Sequence, residues 1–388
     1  MVIISCSGKL HAFALAEQME RLGMLDDFYN TYAYQKNIFW RRWVRRVDRE
    51  QIPAGKIHTN ILLAFPVKLW QAKAYIWNNL FDKWVAGRVS KKPGKVFIGW
   101  SGMSLHAMRA AKKKGMITIL ERGSSHIQYQ DKILGEEFAR FGKSFSVHDA
   151  VIKKELQEYQ EADYISIPSA FVERSFLQYG IPGSKLIVNA YGASKLFKPE
   201  TVPDAEKRKF RILYLGSLSI RKGLYYLFQA IEMLGLPIDA YEVWFIGGVQ
   251  EELKATIDKY SKPNWRFLGH VNHYDLPGYL SQCDLAVQPS LEEGLSMVIP
   301  QMMSCGLPVI ITPNTGAESM VQEGVNGYIV PIRDPQAIAE KIIYLYNNRQ
   351  ELEQMKKAAA RVIDEGFAWN DYGDRYANAI LKIVNNKK

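Results

Sequence analysis

The chain has 388 residues, 47% of them hydrophobic and 23% charged, enough for about two globular domains with sizeable cores. Its formal net charge of +10 is unevenly placed: residues 1–200 carry 30 basic and 18 acidic side chains, and 36–114 alone carry 18 and 3. Three scattered cysteines, Cys6, Cys283 and Cys305, exclude a disulfide framework and show no zinc-ligand spacing, which fits a reducing compartment.

In chain order, the apolar run at the N-terminus has no basic residues before it and reads as a first strand, not a signal peptide. Strand-like "VIIS", "KVFIGW" and "ITILERG" alternate with helical "HAFALAEQMERLG" and "MSLHAMRAAKKKG". That alternation is the βαβ grammar of an open parallel sheet.

Between the first two strands, "NIFWRRWVRRVDR" (37–49) spaces Trp40, Trp43, Val44 and Val47 as one helical stripe. Arg41, Arg42, Arg45, Arg46 and Arg49 take the other side. Such a helix suits an anionic membrane surface, and the basic, aromatic region 36–95 extends that character. Packing of the stripe on the domain core is the competing reading. Nucleic acid fits the charge but not the aromatic spacing.

The stretch 189–209 holds Gly192, two prolines and a charge run, and reads as a linker. The second half repeats the grammar with "FRILYLGS", "EVWFIGG", "NWRFLG", "CDLAVQPS", "LPVIIT" and "GYIVP". The longest uncharged stretch, 294–317, contains three prolines and is no membrane span. "WNDYGDRYANAILKIVNN" reads as a final amphipathic helix. The expected fold class is therefore α/β, with two doubly wound Rossmann-like domains facing a cleft. Expected bounds are 1–195, 196–370 and a crossover helix 371–388 that returns to the first domain.

Two stretches carry chemistry. In "LYLGSLSIRKGLYYLFQAI" a strand ends at Gly216 and Ser217, and Arg221 and Lys222 precede a helix, a placement suited to a diphosphate. In "PSLEEGLSMVIPQMMSCGLPVI" Glu293 precedes a helix start whose backbone N–H groups at Leu295, Ser296 and Met297 could meet phosphates. A carboxylate there can accept hydrogen bonds from sugar hydroxyls, and Gln301 can meet a ribose hydroxyl. Ordinary solvated charges at capped helices are the alternative.

These stretches, with "RFLGHV", "TGAESMVQEGVNGYIVP" and "FAWNDYG", resemble glycosyltransferase family 4 and its GT-B fold over nearly all of 163–375. The resemblance implies a metal-independent, retaining enzyme of hexosyltransferase type, using a nucleotide-sugar (UDP or GDP type) as substrate with no cofactor. The acceptor it implies is a glycan or lipid-linked glycan in cell-surface polysaccharide synthesis. It implies that Glu293 holds the donor sugar, that Gly294 and Leu295 to Val298 line the donor site, and that Arg221 and Lys222 neutralise the diphosphate.

Two positions depart from the family pattern. Ser217 stands where an arginine is usual, and Gln301 replaces the second glutamate of the Glu-x7-Glu pair. In the first domain, Gly8 is placed to approach the diphosphate. His126 reads either as a histidine near the donor sugar or as a satisfied structural one. Lys9, His11, Glu121 and Arg122 are acceptor-side candidates. No Asp-x-Asp metal pattern is present. A sugar-nucleotide epimerase on the same fold and a membrane-bound scaffold with a decayed nucleotide site are the alternatives. The expected location is the inner face of the cell membrane, with the protein peripherally attached from the cytoplasm.

Overall fold

The computed structural model describes residues 1–8, 10–31, 52–64, 74–202 and 208–386. The basic amphipathic stretch with Trp40, Arg41, Arg42, Trp43, Arg45 and Arg46 therefore lies outside the described residues, as does Lys9.

Two parallel sheets form the frame. The first contains β1 (Val2–Cys6), β2 (Leu25–Asn30), β3 (Ile57–Thr59), β4 (Val96–Trp100), β5 (Ile117–Glu121), β6 (Tyr164–Ile167) and β7 (Leu186–Val188), ordered 3-2-1-4-5-6-7. The second contains β8 (Phe210–Leu215), β9 (Tyr241–Ile246), β10 (Trp265–Gly269), β11 (Leu285–Gln288), β12 (Val309–Ile311) and β13 (Gly327–Ile329), ordered 10-9-8-11-12-13. The strand order reverses between β1 and β4 and again between β8 and β11. Ligand crevices open at the carboxyl ends of strands at such reversals. The loops after β8 and β11 hold Arg221, Lys222 and Glu293, so the second reversal is where the chemistry-bearing residues converge.

Central strands are buried on both faces, as β1 and β4 are throughout, because helices cover each side. β2 breaks the apolar pattern with Asp26 and Asp27. Asp26 pairs with the N-terminal ammonium, and buried Asp27 accepts from Lys92 Nζ at 2.8 and 2.9 Å and pairs with His58 on neighbouring β3. One core cluster joins both domains: Ile4 and Ile98 of the first sheet belong with Leu213 and Val309 of the second.

The last helix, Trp369–Asn386, begins two residues before the expected 371 and crosses back to the first domain. It lies against the helix Ala12–Arg21, where Arg21 pairs with Asp374 and donates to the Asn370 carbonyl at 3.3 Å. A Cβ at Gly373 would stand 2.5 Å from Gln18 Cβ, so glycine is what lets the two helices come this close. No helix among the described residues is long and apolar enough to cross a membrane.

Candidate functional site

The loop after β8 turns through the short 3-10 segment Ile220–Lys222 into the helix Leu224–Glu232. Gly223 makes that turn at φ 68°, and a Cβ there would lie 2.0 Å from the Pro289 carbonyl oxygen. Any side chain would therefore part this loop from the one after β11. The two are also laced by hydrogen bonds: Leu291 N–H donates to the Arg221 carbonyl at 3.0 Å, and Arg221 Nε donates to the Glu292 carbonyl at 2.8 Å.

This lacing brings Arg221, Lys222 and Glu293 together. Lys222 Nζ pairs with Glu293 Oε1, and Arg221 Nη2 lies 3.6 Å from Glu293 Oε2. Glu293 is buried, and burial plus its charge push the Tyr214 phenol well above its ordinary range. Burial alone would lower the Arg221 guanidinium, but Glu292 and Glu293 hold it charged. The result is two cations and a carboxylate at one strand-reversal edge, in a setting where charge is poorly screened.

Around them, Ser217 stands after Gly216, and its carbonyl accepts from Tyr214 O–H at 2.8 Å. The helix after β11 is shorter than the spacing implied: it runs Val298–Ser304, with Met297 as its cap. Ser296 N–H is already spent on the Thr315 carbonyl at 2.9 Å, which corrects the expectation of a free donor there. Leu295 is buried, and Met297, Val298 and Gln301 are partly exposed. Gln301 sits at the fourth position of this helix, and its amide makes no hydrogen bond among the described residues.

The first domain meets this edge directly. A Cβ on Gly294 would stand 2.0 Å from the Gly123 carbonyl oxygen, so two backbones touch across the cleft. Ser169 Oγ donates to the Gly294 carbonyl at 2.6 Å. Glu292, fully buried, accepts from Ser124 Oγ and Ser125 Oγ at 2.7 Å each, Ser125 N at 3.0 Å and Gln130 Nε2 at 3.1 Å. In the sequence Glu292 is simply the residue before Glu293. Nothing in its local spacing reveals that its partners lie about 165 positions earlier.

The acceptor-side candidates divide. His11 Nε2 and Glu121 Oε2 are 2.9 Å apart, and Tyr376 O–H donates to Glu121 Oε1 at 2.6 Å. Trp100 and Tyr191 rings pack on His11, with centroids 5.0 and 4.2 Å away, and Trp100 Nε1 and Tyr191 O–H are buried without a hydrogen-bond partner among the described residues. Arg122 is committed to the scaffold instead: it pairs with Glu155 at 2.8 Å and donates to the Ser125 carbonyl at 3.0 and 2.8 Å. That grip holds the loop presenting Ser124 and Ser125. Gly8 lies in the loop after β1, and its carbonyl accepts from Asn30 Nδ2 at 3.0 Å.

His126 makes its hydrogen bonds and ring contacts within the first domain. It caps the helix Ile127–Arg140, with Nδ1 accepting from Gln128 N–H at 3.3 Å. Its ring stacks on Tyr179 at 4.5 Å, with Tyr159 and Phe176 nearby. Burial, helped by the Arg122 charge, lowers its pKa to about 4, so the ring is a neutral cap at pH 7. Among the described residues, no three His, Cys, Asp or Glu side chains gather as a metal site.

Comparison with known proteins agrees with this geometry. Residues 199–362 match the model of the family described as glycosyl transferases group 1. An uncharacterized glycosyltransferase of Methanocaldococcus jannaschii is 26% identical over 93% of this chain and 92% of its own length. The amylovoran biosynthesis glycosyltransferase of Erwinia amylovora is 24% identical over half of each chain. Among solved structures, sucrose-phosphate synthase from Thermosynechococcus elongatus superposes with a TM-score of 0.72, at 16% identity and 99% coverage of both chains. Anabaena HepE, solved with UDP, superposes with a TM-score of 0.66, at 18% identity over 98% of this chain and 99% of its own. The full-length likenesses in fold, and the group 1 match across the second sheet, together support a glycosyltransferase of GT-B fold.

Proposed function

We propose that this protein moves a sugar from a nucleoside diphosphate sugar to a glycan or lipid-linked glycan acceptor, in the synthesis of a cell-surface polysaccharide. The observation that carries this reading is the cluster of Arg221, Lys222 and Glu293 at the edge where the two domains touch. The bond from the anomeric carbon to the diphosphate breaks, leaving negative charge on a phosphate oxygen. Two fixed cations at that position stabilise the departing group more than the ground state, which lowers the barrier. Glu293, an acceptor-only group, orients the sugar through its hydroxyls.

Retention without a metal follows the family 4 resemblance. In that chemistry the acceptor oxygen bonds on the face the diphosphate leaves, and its proton passes to the departing phosphate oxygen. The amylovoran relative supports a polysaccharide product, and the UDP complex of HepE supports a nucleotide in the cleft. The 15 excess basic charges across 36–114 support attachment to an anionic membrane face. Exposed Leu62, Ile76 and Leu80 lie within that region.

The deciding experiment incubates the protein with UDP- and GDP-sugars and membrane-extracted acceptor, and follows free nucleotide. Glu293→Ala should abolish release while leaving the folded spectrum intact. Isomerised donor without acceptor would instead indicate an epimerase, and no turnover of any donor would indicate a scaffold.

A further inference from the structure

Glu292 does something different from its neighbour Glu293. It is completely buried, yet it is met from both domains. From the first domain come the four donors on Ser124, Ser125 and Gln130. From the second comes Arg221 Nε, 3.0 Å from Glu292 Oε2 and also bonded to the Glu292 carbonyl. Burial pushes the Glu292 carboxyl up, but the Arg221 charge and the serine donors outweigh it, and the group stays below the usual carboxylate range. Arg221 is thus gripped along its Nε edge, while Nη1 makes no protein hydrogen bond among the described residues. Its side chain is 37% exposed, so the guanidinium is fixed on one edge and open on the other.

We propose that Glu292 is a positioning residue that couples closure of the cleft to the setting of Arg221 for the diphosphate. This rests on the reading of the cleft as a nucleotide-sugar site. The physical reason is that a fully buried carboxylate needs several partners to remain charged. When the domains part, four of its donors leave together, and the remaining Arg221 must satisfy it alone. The guanidinium is then drawn toward Glu292, and its open edge loses the orientation it has when the cleft is shut. Closure and phosphate binding therefore favour each other reciprocally.

A second buried bridge supplies the control. Glu137, fully buried on the first domain, accepts from Tyr226 O–H at 2.7 Å and from Arg333 Nε at 2.7 Å, both on the second domain. It holds the domains together without touching Arg221.

The test uses the full chain, with UDP and GDP as probes in calorimetry and small-angle scattering as the measure of closure. Ser124→Ala with Ser125→Ala strips donors from Glu292 but leaves its pair with Arg221 intact. Glu292→Gln keeps the shape and removes the charge, and Glu137→Gln loosens only the other bridge. The serine variant and Glu292→Gln should each weaken whichever nucleotide the wild type binds by roughly tenfold, within the usual range of coupling between sites. Glu137→Gln should expand the molecule without a comparable loss.

Unchanged affinity in the serine variant would overturn the coupling. So would an equal loss in Glu137→Gln at equal expansion, because Glu292 would then be a bolt like any other. If Glu292→Gln fails to fold, the serine pair decides alone, since it leaves no charge unpaired. A wild type that binds neither nucleotide would sink the donor-site reading itself, and this coupling with it.

Discussion

Gly294→Ala isolates the contact on which the closed cleft depends. The new Cβ would meet the Gly123 carbonyl oxygen at 2.0 Å and its carbon at 2.4 Å, with Ser124 N at 2.9 Å. All three atoms belong to the first domain, and the backbone at 294 is not left-handed, so the second domain itself is not strained. Ordinary contact begins at 3.4 Å, so the domains must part by about 1.4 Å there, the difference of the two distances. That shift carries the 2.7 Å bonds from Ser124 and Ser125 to Glu292 out of hydrogen-bonding range. At about 1 kcal/mol net for each of the four donors, roughly 4 kcal/mol of closure is lost. That corresponds to roughly a thousandfold drop in kcat/KM if only the closed form reacts. The assay is nucleotide release with donor and acceptor, beside scattering and thermal unfolding. Gly248→Ala, where a Cβ meets nothing within 4 Å, is the control. Near-wild-type turnover with unchanged compactness in Gly294→Ala would refute the reasoning.

Three further outcomes are expected. Gln301→Glu should keep activity within roughly tenfold, about 1.4 kcal/mol in barrier terms, because a ribose hydroxyl can donate to either side chain; complete loss would show that the amide's own donor is required. His126 has a folded pKa near 4 against an ordinary 6.5, so the unfolded chain binds more protons between those values. Its contribution should be present above pH 6.5 and vanish as pH falls toward 4, and His126→Asn, which can still cap, should flatten that part of the stability–pH curve and preserve transfer. Loss of transfer at full stability in His126→Asn would instead give the histidine a direct role at the donor. Replacing Arg41, Arg42, Arg45 and Arg46 with Gln should release the protein from anionic vesicles at low salt, and unchanged co-sedimentation would count against membrane attachment.

Much of the frame was legible in the sequence, for a simple reason. Strands buried on both faces must be continuous apolar runs, so "KVFIGW", "FRILYL" and "LAVQ" announce themselves as β4, β8 and β11. The same holds for Arg221, Lys222 and Glu293, whose positions at strand ends follow from local order along the chain. β2 was not legible, because "LDDFYN" puts Asp27 in a buried strand, tolerable only because Lys92 and His58 come from elsewhere to pair with it. Nor could spacing place the helix start at Val298, since Ser296 N–H is claimed by Thr315 from the next strand's loop. The surroundings of His126 and Glu292 were likewise decided by folding: one is enclosed by rings from two other helices, the other by serines from the opposite domain. Local sequence fixes a residue's chemistry and its place along an element. Which groups surround it, and hence whether a carboxylate pairs with cations at the cleft edge or is met from both domains, depends on chain segments far apart that meet only in the folded protein.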